Sequence, residues 1–199
     1  MTKQYDRRYF DRWYRGRNRI HDRDEVRRKI VLAVATAEYF LRRPIRSVLD
    51  VGAGEGAWFP HLRSIRRQAT YLGVEPSDYA LERFGRQRHL LKGTFADLAA
   101  MRLRAPFDLV VCSDVLHYLT EREISKGIGE LVRLTGGIAF LELLTAEDDI
   151  IGDIEGLKRR PASWYVRRFR RAGLTWAAPY CWLSAGLRST ASELERSPP

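Results

Sequence analysis

The sequence predicts an α/β fold: a mostly parallel sheet wound on both faces by helices, preceded by a helical extension. Three observations predict it. From residue 44 onward, strand-like and helix-like stretches alternate at the spacing that builds βαβ units. Two of the strand stretches, FDLVVC (Phe107–Cys112) and IAFLELL (Ile138–Leu144), are almost wholly apolar, as strands buried on both faces are. The first strand runs into a turn with three glycines, VLDVGAGEG (48–56), which is where a doubly wound, Rossmann-like sheet receives a nucleotide-like ligand.

Taken in order, the chain opens on Tyr5-Asp6-Arg7-Arg8-Tyr9-Phe10-Asp11-Arg12-Trp13-Tyr14, where aromatics interleave with charge. Tyr5, Tyr9 and Trp13 recur at helical spacing, with Phe10 and Tyr14 alongside. Three readings stay open: an amphipathic helix docked on the sheet edge, a lid that excludes water, and a surface that stacks RNA bases. Asp22–Arg42 is helical, with acids in its first turn and one stripe of Val26, Ile30, Ala33, Val34, Ala37 and Leu41. Pro44 closes it. Strands are predicted at Ser47–Val51, Thr70–Glu75, His89–Phe95, Phe107–Ser113 and Gly137–Leu144. Helices are predicted at Ala57–Arg67, Asp78–Gln87, Thr120–Leu134 and Ala162–Ala172. Leu174–Leu183 is a last extended segment, interrupted at Pro179. Residues 1–43 thus form a helical extension or lid of the same domain, 44–188 the core, and 189–199 a polar tail expected to be disordered.

Composition narrows the class. The chain has 199 residues, 45% hydrophobic and 30% charged, enough for one domain with a sizeable core. No apolar run is long enough to cross a bilayer, and the N-terminus lacks the apolar core of a secretory signal. With two cysteines, Cys112 and Cys181, each in an apolar stretch, a cytoplasmic location is expected. The net charge of +10 comes almost entirely from arginine, since only five lysines occur. Most arginines pair up on helical faces, which reads as solvated surface; a polyanion site is the sharper alternative.

The glycine turn could serve a triphosphate, a dinucleotide or a sulfonium nucleoside. A triphosphate needs a lysine and a hydroxyl residue after the last glycine, and here Ala57 and Trp58 follow Gly56. A dinucleotide needs G-x-G-x-x-G, and this turn is one spacer short. It also carries two carboxylates, Asp50 and Glu55, that would oppose a pyrophosphate. A cofactor bearing an ammonium and a sulfonium gains from them. Glu75, at the end of the second strand, can accept from a ribose diol.

Four segments in one order carry a resemblance: VLDVGAGEG (48–56), YLGVEPSDYAL (71–81), GTFADL (93–98) and FDLVVCSDVLHYL (107–119). The chain resembles the class I S-adenosylmethionine-dependent methyltransferases of the small, single-domain kind. The resemblance implies that Gly52 and Gly54, with Ala53 between them, bring backbone against the methionine and ribose parts, and that Asp50 orders the turn. It implies Glu75 on the ribose diol, Pro76 and Ser77 at the adenine border, and Asp97 and the Leu98 N–H on the adenine. Ser113, Asp114 and Val115 would lie at the methyl-transfer face. It also implies a seventh, antiparallel strand, so the last two strands must be brief or one is lost.

Methyl transfer from a sulfonium is an in-line displacement, in which alignment contributes up to ~7–11 kcal/mol. It needs no metal, and no ligand-spaced His/Cys/carboxylate cluster is visible. Relatives that methylate adenine amines or glutamine amides carry an Asn/Asp-Pro-Pro-aromatic turn where this chain has Ser113-Asp114-Val115-Leu116. That class is disfavoured, and the string SDVLHYL (113–119) instead resembles enzymes acting on small molecules at oxygen, nitrogen or carbon. His117 is the candidate base, set against a packing role among Val115, Leu116, Tyr118 and Leu119. Tyr9, Trp13 and Tyr14 are the candidate substrate and lid residues. The acidic stretch TAEDDIIGDIEG (145–156) is a solvated loop or a pocket for an amine-bearing substrate. An RNA or protein methyltransferase and a non-catalytic scaffold subunit are the rival functions. The protein is expected to be a monomer or homodimer.

Overall fold

The structure, a computed structural model, describes residues 3–15, 23–150 and 152–196. Seven strands form one sheet in the order β3-β2-β1-β4-β5-β7-β6. They are β1 (Ser47–Val51), β2 (Thr70–Glu75), β3 (Leu90–Lys92), β4 (Phe107–Ser113), β5 (Thr135–Glu142), β6 (Thr175–Ala178) and β7 (Cys181–Leu183). The first five run parallel, and β7 is antiparallel to both of its neighbours. Order reverses between β1 and β4, so a crevice opens at the carboxyl ends of those two strands.

The two-residue period of the strands divides the core in two. Val48 of β1, Leu109 and Val111 of β4, and Ile138 and Phe140 of β5 point to one face. There they meet Ile30, Ala33 and Ala37 of α2 (Arg23–Leu41) and Leu62 of α3 (Trp58–Ile65). Leu49, Val51, Val110, Cys112, Ala139 and Leu141 point to the other. They pack on Ile124, Leu131 and Leu134 of α5 (Glu121–Leu134) and on Tyr165 and Phe169 of α6 (Ala162–Arg171). α4 (Asp78–Arg88) links β2 to β3, with Ser77 as its N-cap. The expected start of α2 at Asp22 lies outside the described residues.

Local expectations fail where a tertiary contact overrides them. The strand expected from Gly137 begins two residues earlier, at Thr135, directly after α5. A Cβ on Gly137 would stand 2.2 Å from the Asp108 carbonyl oxygen, so this glycine is a strand residue that permits close pairing with β4. The expected strand His89–Phe95 shrinks to three residues, because Thr94 starts a capped 3₁₀ turn over Phe95–Asp97. The last extended segment is a hairpin that reverses at Pro179-Tyr180, where Tyr180 has φ +60°. Both final strands are present, and both are brief.

At the N-terminus, Asp6 caps α1 (Arg7–Phe10), and a wider π-type turn follows over Asp11–Arg15. Part of the tail expected to be disordered is folded. A 3₁₀ helix spans Ala185–Thr190, Ala191 is buried, and α7 (Glu193–Arg196) reaches α2 through a Tyr39–Glu195 hydrogen bond. Residues 197–199 of that tail lie outside the described residues. Among the described residues, no helix is long and apolar enough to cross a membrane.

Candidate active site

The site is built on the turn that leaves β1. Gly52 and Gly54 have φ of +77° and +56°, backbone that an L side chain rarely adopts. Gly52 also faces Val115 so closely that a Cβ would lie 2.2 Å from Cγ2 of that valine. Two donors of the turn, the N–H groups of Gly52 and Ala53, reach the Val74 carbonyl of β2.

Glu75 fastens the first turn to the second. One carboxylate oxygen accepts from the Gly54 N–H at 2.7 Å and the other from the Ser77 N–H at 3.0 Å. The residue is 4% exposed, and burial raises its pKa against the pull of those two bonds. Each oxygen keeps a second lone pair for a ligand. Asp50, one strand over, accepts from the Tyr71 hydroxyl at 2.6 Å. Burial pushes its pKa up to about 7, with the Glu75 charge adding to the rise. A cation arriving beside Asp50 would reverse that shift.

The carboxyl end of β4 supplies the opposite wall. Asp114 adopts φ +58° and donates its N–H to the Glu142 carbonyl at 3.0 Å. Aspartate is one of the few residues other than glycine that adopts this left-handed backbone readily. Ser113 donates its hydroxyl to the Glu142 carboxylate, and Lys29 of α2 pairs with that carboxylate at 2.6 Å and with Glu25 at 2.8 Å. Neither Glu142 nor Lys29 was singled out from the sequence. The readable signal was Lys29 itself, one of only five lysines, placed next to the buried Ile30 of the α2 stripe.

The N-terminal segment lies over this cleft. Phe10 is 1% exposed and stacks on Tyr79, with ring centroids 5.5 Å apart. Tyr14 leans on Phe10, and its hydroxyl would stand 3.1 Å from a Cβ on Gly54. Arg15 pairs with Glu55 of the glycine turn, and Ser77 donates its hydroxyl to the Tyr5 carbonyl at 2.5 Å. The sequence stripe Tyr5–Tyr9–Trp13 therefore differs from the most buried face, which is led by Phe10, because Tyr79 meets that side. Beneath the segment are two cavities of about 630 and 870 Å³, and Trp13, Tyr14, Gly52, Ser113 and Asp114 line both. Asp50 and Ala53 line the first. Tyr9, Gly54, Glu75, Pro76, Ser77, Val115 and His117 line the second. Asp97 and Leu98 line neither. The Asp97 carboxylate is exposed and caps its own turn, accepting from the N–H and hydroxyl of Thr94 through Oδ2, while the Leu98 side chain is core.

His117 is 1% exposed. Its Nδ1 accepts from the Leu144 N–H at 3.0 Å, which places the proton of the neutral ring on Nε2. Nε2 is buried and has no hydrogen-bond partner among the described residues. Burial lowers its pKa, although the Asp114 charge opposes that.

The acidic stretch separates into single duties. Glu147 accepts from the Ala162 N–H at the start of α6, and Asp148 accepts from the N–H and hydroxyl of Thr145. Asp153 alone of its five acids lines the larger cavity. Among the described residues, no group of His, Cys, Asp and Glu could hold a metal ion.

Residues 49–136 match the family described as "Methyltransferase domain". No curated protein matches the chain significantly. Among solved structures, the chain is similar to an S-adenosylmethionine-dependent methyltransferase from Archaeoglobus fulgidus, with TM-score 0.63 and 14% identity, covering 85% of this chain and 75% of that one. It is also similar to the magnesium protoporphyrin IX methyltransferase from Synechocystis PCC 6803 with bound S-adenosylhomocysteine, with TM-score 0.62 and 17% identity, covering 87% and 88%. An O-methyltransferase family protein from Burkholderia thailandensis matches with TM-score 0.53 and 18% identity over 87% of this chain, which spans 62% of that longer protein. At these identities the structures speak for the fold, and the family match speaks for the domain. Residues 49–136 thus match a methyltransferase domain, and the seven-stranded sheet with its glycine turn has the fold of these solved methyltransferases.

Proposed function

We propose that the enzyme methylates an oxygen, nitrogen or carbon atom of a small molecule, using S-adenosylmethionine bound along the β1–β4 crevice. The observation that carries this reading is the Glu75 clamp: a buried carboxylate joining the glycine turn to the end of β2, with lone pairs left for a ribose diol. The residues present fit the cofactor. Gly52 lines both cavities and its positive φ shapes the turn around them, and Asp50 suits an ammonium or sulfonium. The cofactor supplies an electrophilic methyl group. The acceptor's lone pair takes that methyl, the C–S electron pair stays on sulfur, and S-adenosylhomocysteine and a proton remain.

The chain's own part is alignment and exclusion of water. Pro76 and Ser77 would border the adenine, and Asp97 and the Leu98 N–H would hold its far end. Ser113, Asp114 and Val115 floor the transfer face. Tyr9, Trp13 and Tyr14 act as the lid. His117 is better suited to donate than to act as a base. Protonating its Nδ1 would oppose two donors, His117 and the Leu144 N–H, so the ring stays neutral and offers Nε2–H to an acceptor heteroatom.

Incubation with methyl-labelled S-adenosylmethionine and fractionated cell extract tests the acceptor class. The label is expected in the low-mass fraction. Label recovered in RNA or in protein would replace this reading with one of its rivals.

A further inference from the structure

One part of the larger cavity is built as a receptor for a cation. The Lys3 ammonium lies 3.8 Å from the centroid of the Tyr118 ring, 5.4 Å from that of Tyr9 and 5.5 Å from that of Tyr5. It pairs with the Asp153 carboxylate and donates to the Glu155 carbonyl at 3.1 Å. Asp153 is 6% exposed, and the Tyr118 hydroxyl donates to its backbone carbonyl at 2.8 Å, which fixes the ring beside the carboxylate. Tyr5 and Tyr9 meet edge to face at 5.0 Å, so the box is walled from the strap as well as from the loops after β4 and β5.

We propose that Tyr5, Tyr9, Tyr118 and Asp153 seat an ammonium group carried by the methyl acceptor, which displaces Lys3 from this seat. The proposal rests on the small-molecule reading above and names its substrate class: a small organic cation. Electron-rich ring faces attract a cation, and one buried carboxylate balances one positive charge. Burial pushes the Tyr5 phenol up to about 12 and the other two higher, so the three rings stay neutral at physiological pH. Lys3 precedes the first helix and arrives on a flexible four-carbon stem, which can withdraw while the strap stays docked through Phe10 and Arg15. The same cavity continues to Gly52, Ser113 and Asp114, so one molecule can span seat and transfer face. A nitrogen held there keeps its proton and has no lone pair. The ammonium is therefore a handle, and a different atom of the acceptor takes the methyl.

The probes are butylammonium and its neutral counterpart 1-butanol, titrated against the full chain and followed by the tyrosine ring resonances. Lys3→Ala is expected to bind butylammonium about tenfold more tightly than wild type, since the tethered competitor is gone. Adding Asp153→Asn to Lys3→Ala should abolish that gain, and 1-butanol should not distinguish the variants. Binding no tighter in Lys3→Ala, equal gain for 1-butanol, or a gain that survives Asp153→Asn would each overturn the seat. S-adenosylhomocysteine is titrated into the same samples. If it binds while butylammonium does not, the seat alone fails; if it does not bind, the cofactor reading fails.

Discussion

Gly52→Ala is expected to abolish cofactor binding and to lower the free energy of unfolding by about 2–4 kcal/mol. Two independent costs combine. An alanine at φ +77° is strained whatever surrounds it, and its methyl group would overlap Val115 Cγ2 at 2.2 Å. Val115 is a poor candidate to give way, because it follows Asp114, whose own left-handed backbone is tied to Glu142. Denaturant unfolding separates the two costs. Val115→Ala in the Gly52→Ala background should recover the steric part and leave the backbone part. Cofactor binding should stay lost in both, since an alanine draws the backbone of the turn away from φ +77° whether or not Val115 is trimmed. A Gly52→Ala chain that binds S-adenosylhomocysteine normally would show that the turn is not the binding surface.

The second large effect concerns Glu75. Glu75→Ala leaves the N–H groups of Gly54 and Ser77 without their buried acceptor, which should cost about 2–3 kcal/mol of stability. It should also weaken cofactor binding by roughly 30- to 150-fold, the equivalent of about 2–3 kcal/mol, through loss of the diol contact. Glu75→Gln is the sharper variant. Its amide oxygen can keep one of the two N–H groups, but its NH₂ faces the other donor to donor. Calorimetric titration should therefore place Glu75→Gln between wild type and Glu75→Ala. An affinity for S-adenosylhomocysteine unchanged in both would remove Glu75 from the site and leave it a structural clamp.

The sequence made the central strands legible because burial on both faces writes itself as an unbroken apolar run, as in β4 and β5, and the glycine turn because left-handed backbone at Gly52, Gly54 and Gly56 writes itself as a local glycine pattern. Glu75 was legible for the same reason: its place at the end of the second strand is fixed by local pattern. What stayed hidden depends on partners far along the chain. The start of β5 at Thr135, two residues ahead of the expected Gly137, shows only in its pairing with Phe107 of β4. Ser113, Glu142 and Lys29 come together from β4, β5 and α2, and nothing in their local sequence joins them. The strap was read by helical period, yet Phe10 is its deepest residue because Tyr79 waits on that side. The acidic stretch read as one feature, whereas Glu147 holds the Ala162 N–H, Asp148 caps Thr145 and Asp153 pairs with Lys3. Asp97 kept its acid but spends it on its own turn.

The central claim is that the β1 turn holds a sulfonium nucleoside, and calorimetry with S-adenosylmethionine, S-adenosylhomocysteine and NAD near pH 7 tests it most directly. Asp50 is close to half protonated there, its pKa raised to about 7 by burial. A cation beside it favours the carboxylate, so binding of S-adenosylmethionine should release protons, and affinity should rise as pH increases through 7. Titrations in two buffers of different ionisation enthalpy read that release. The account predicts that both adenosyl ligands bind, that S-adenosylmethionine releases protons, and that NAD gives no heat. No binding of either adenosyl ligand, or equal binding of NAD, would contradict it.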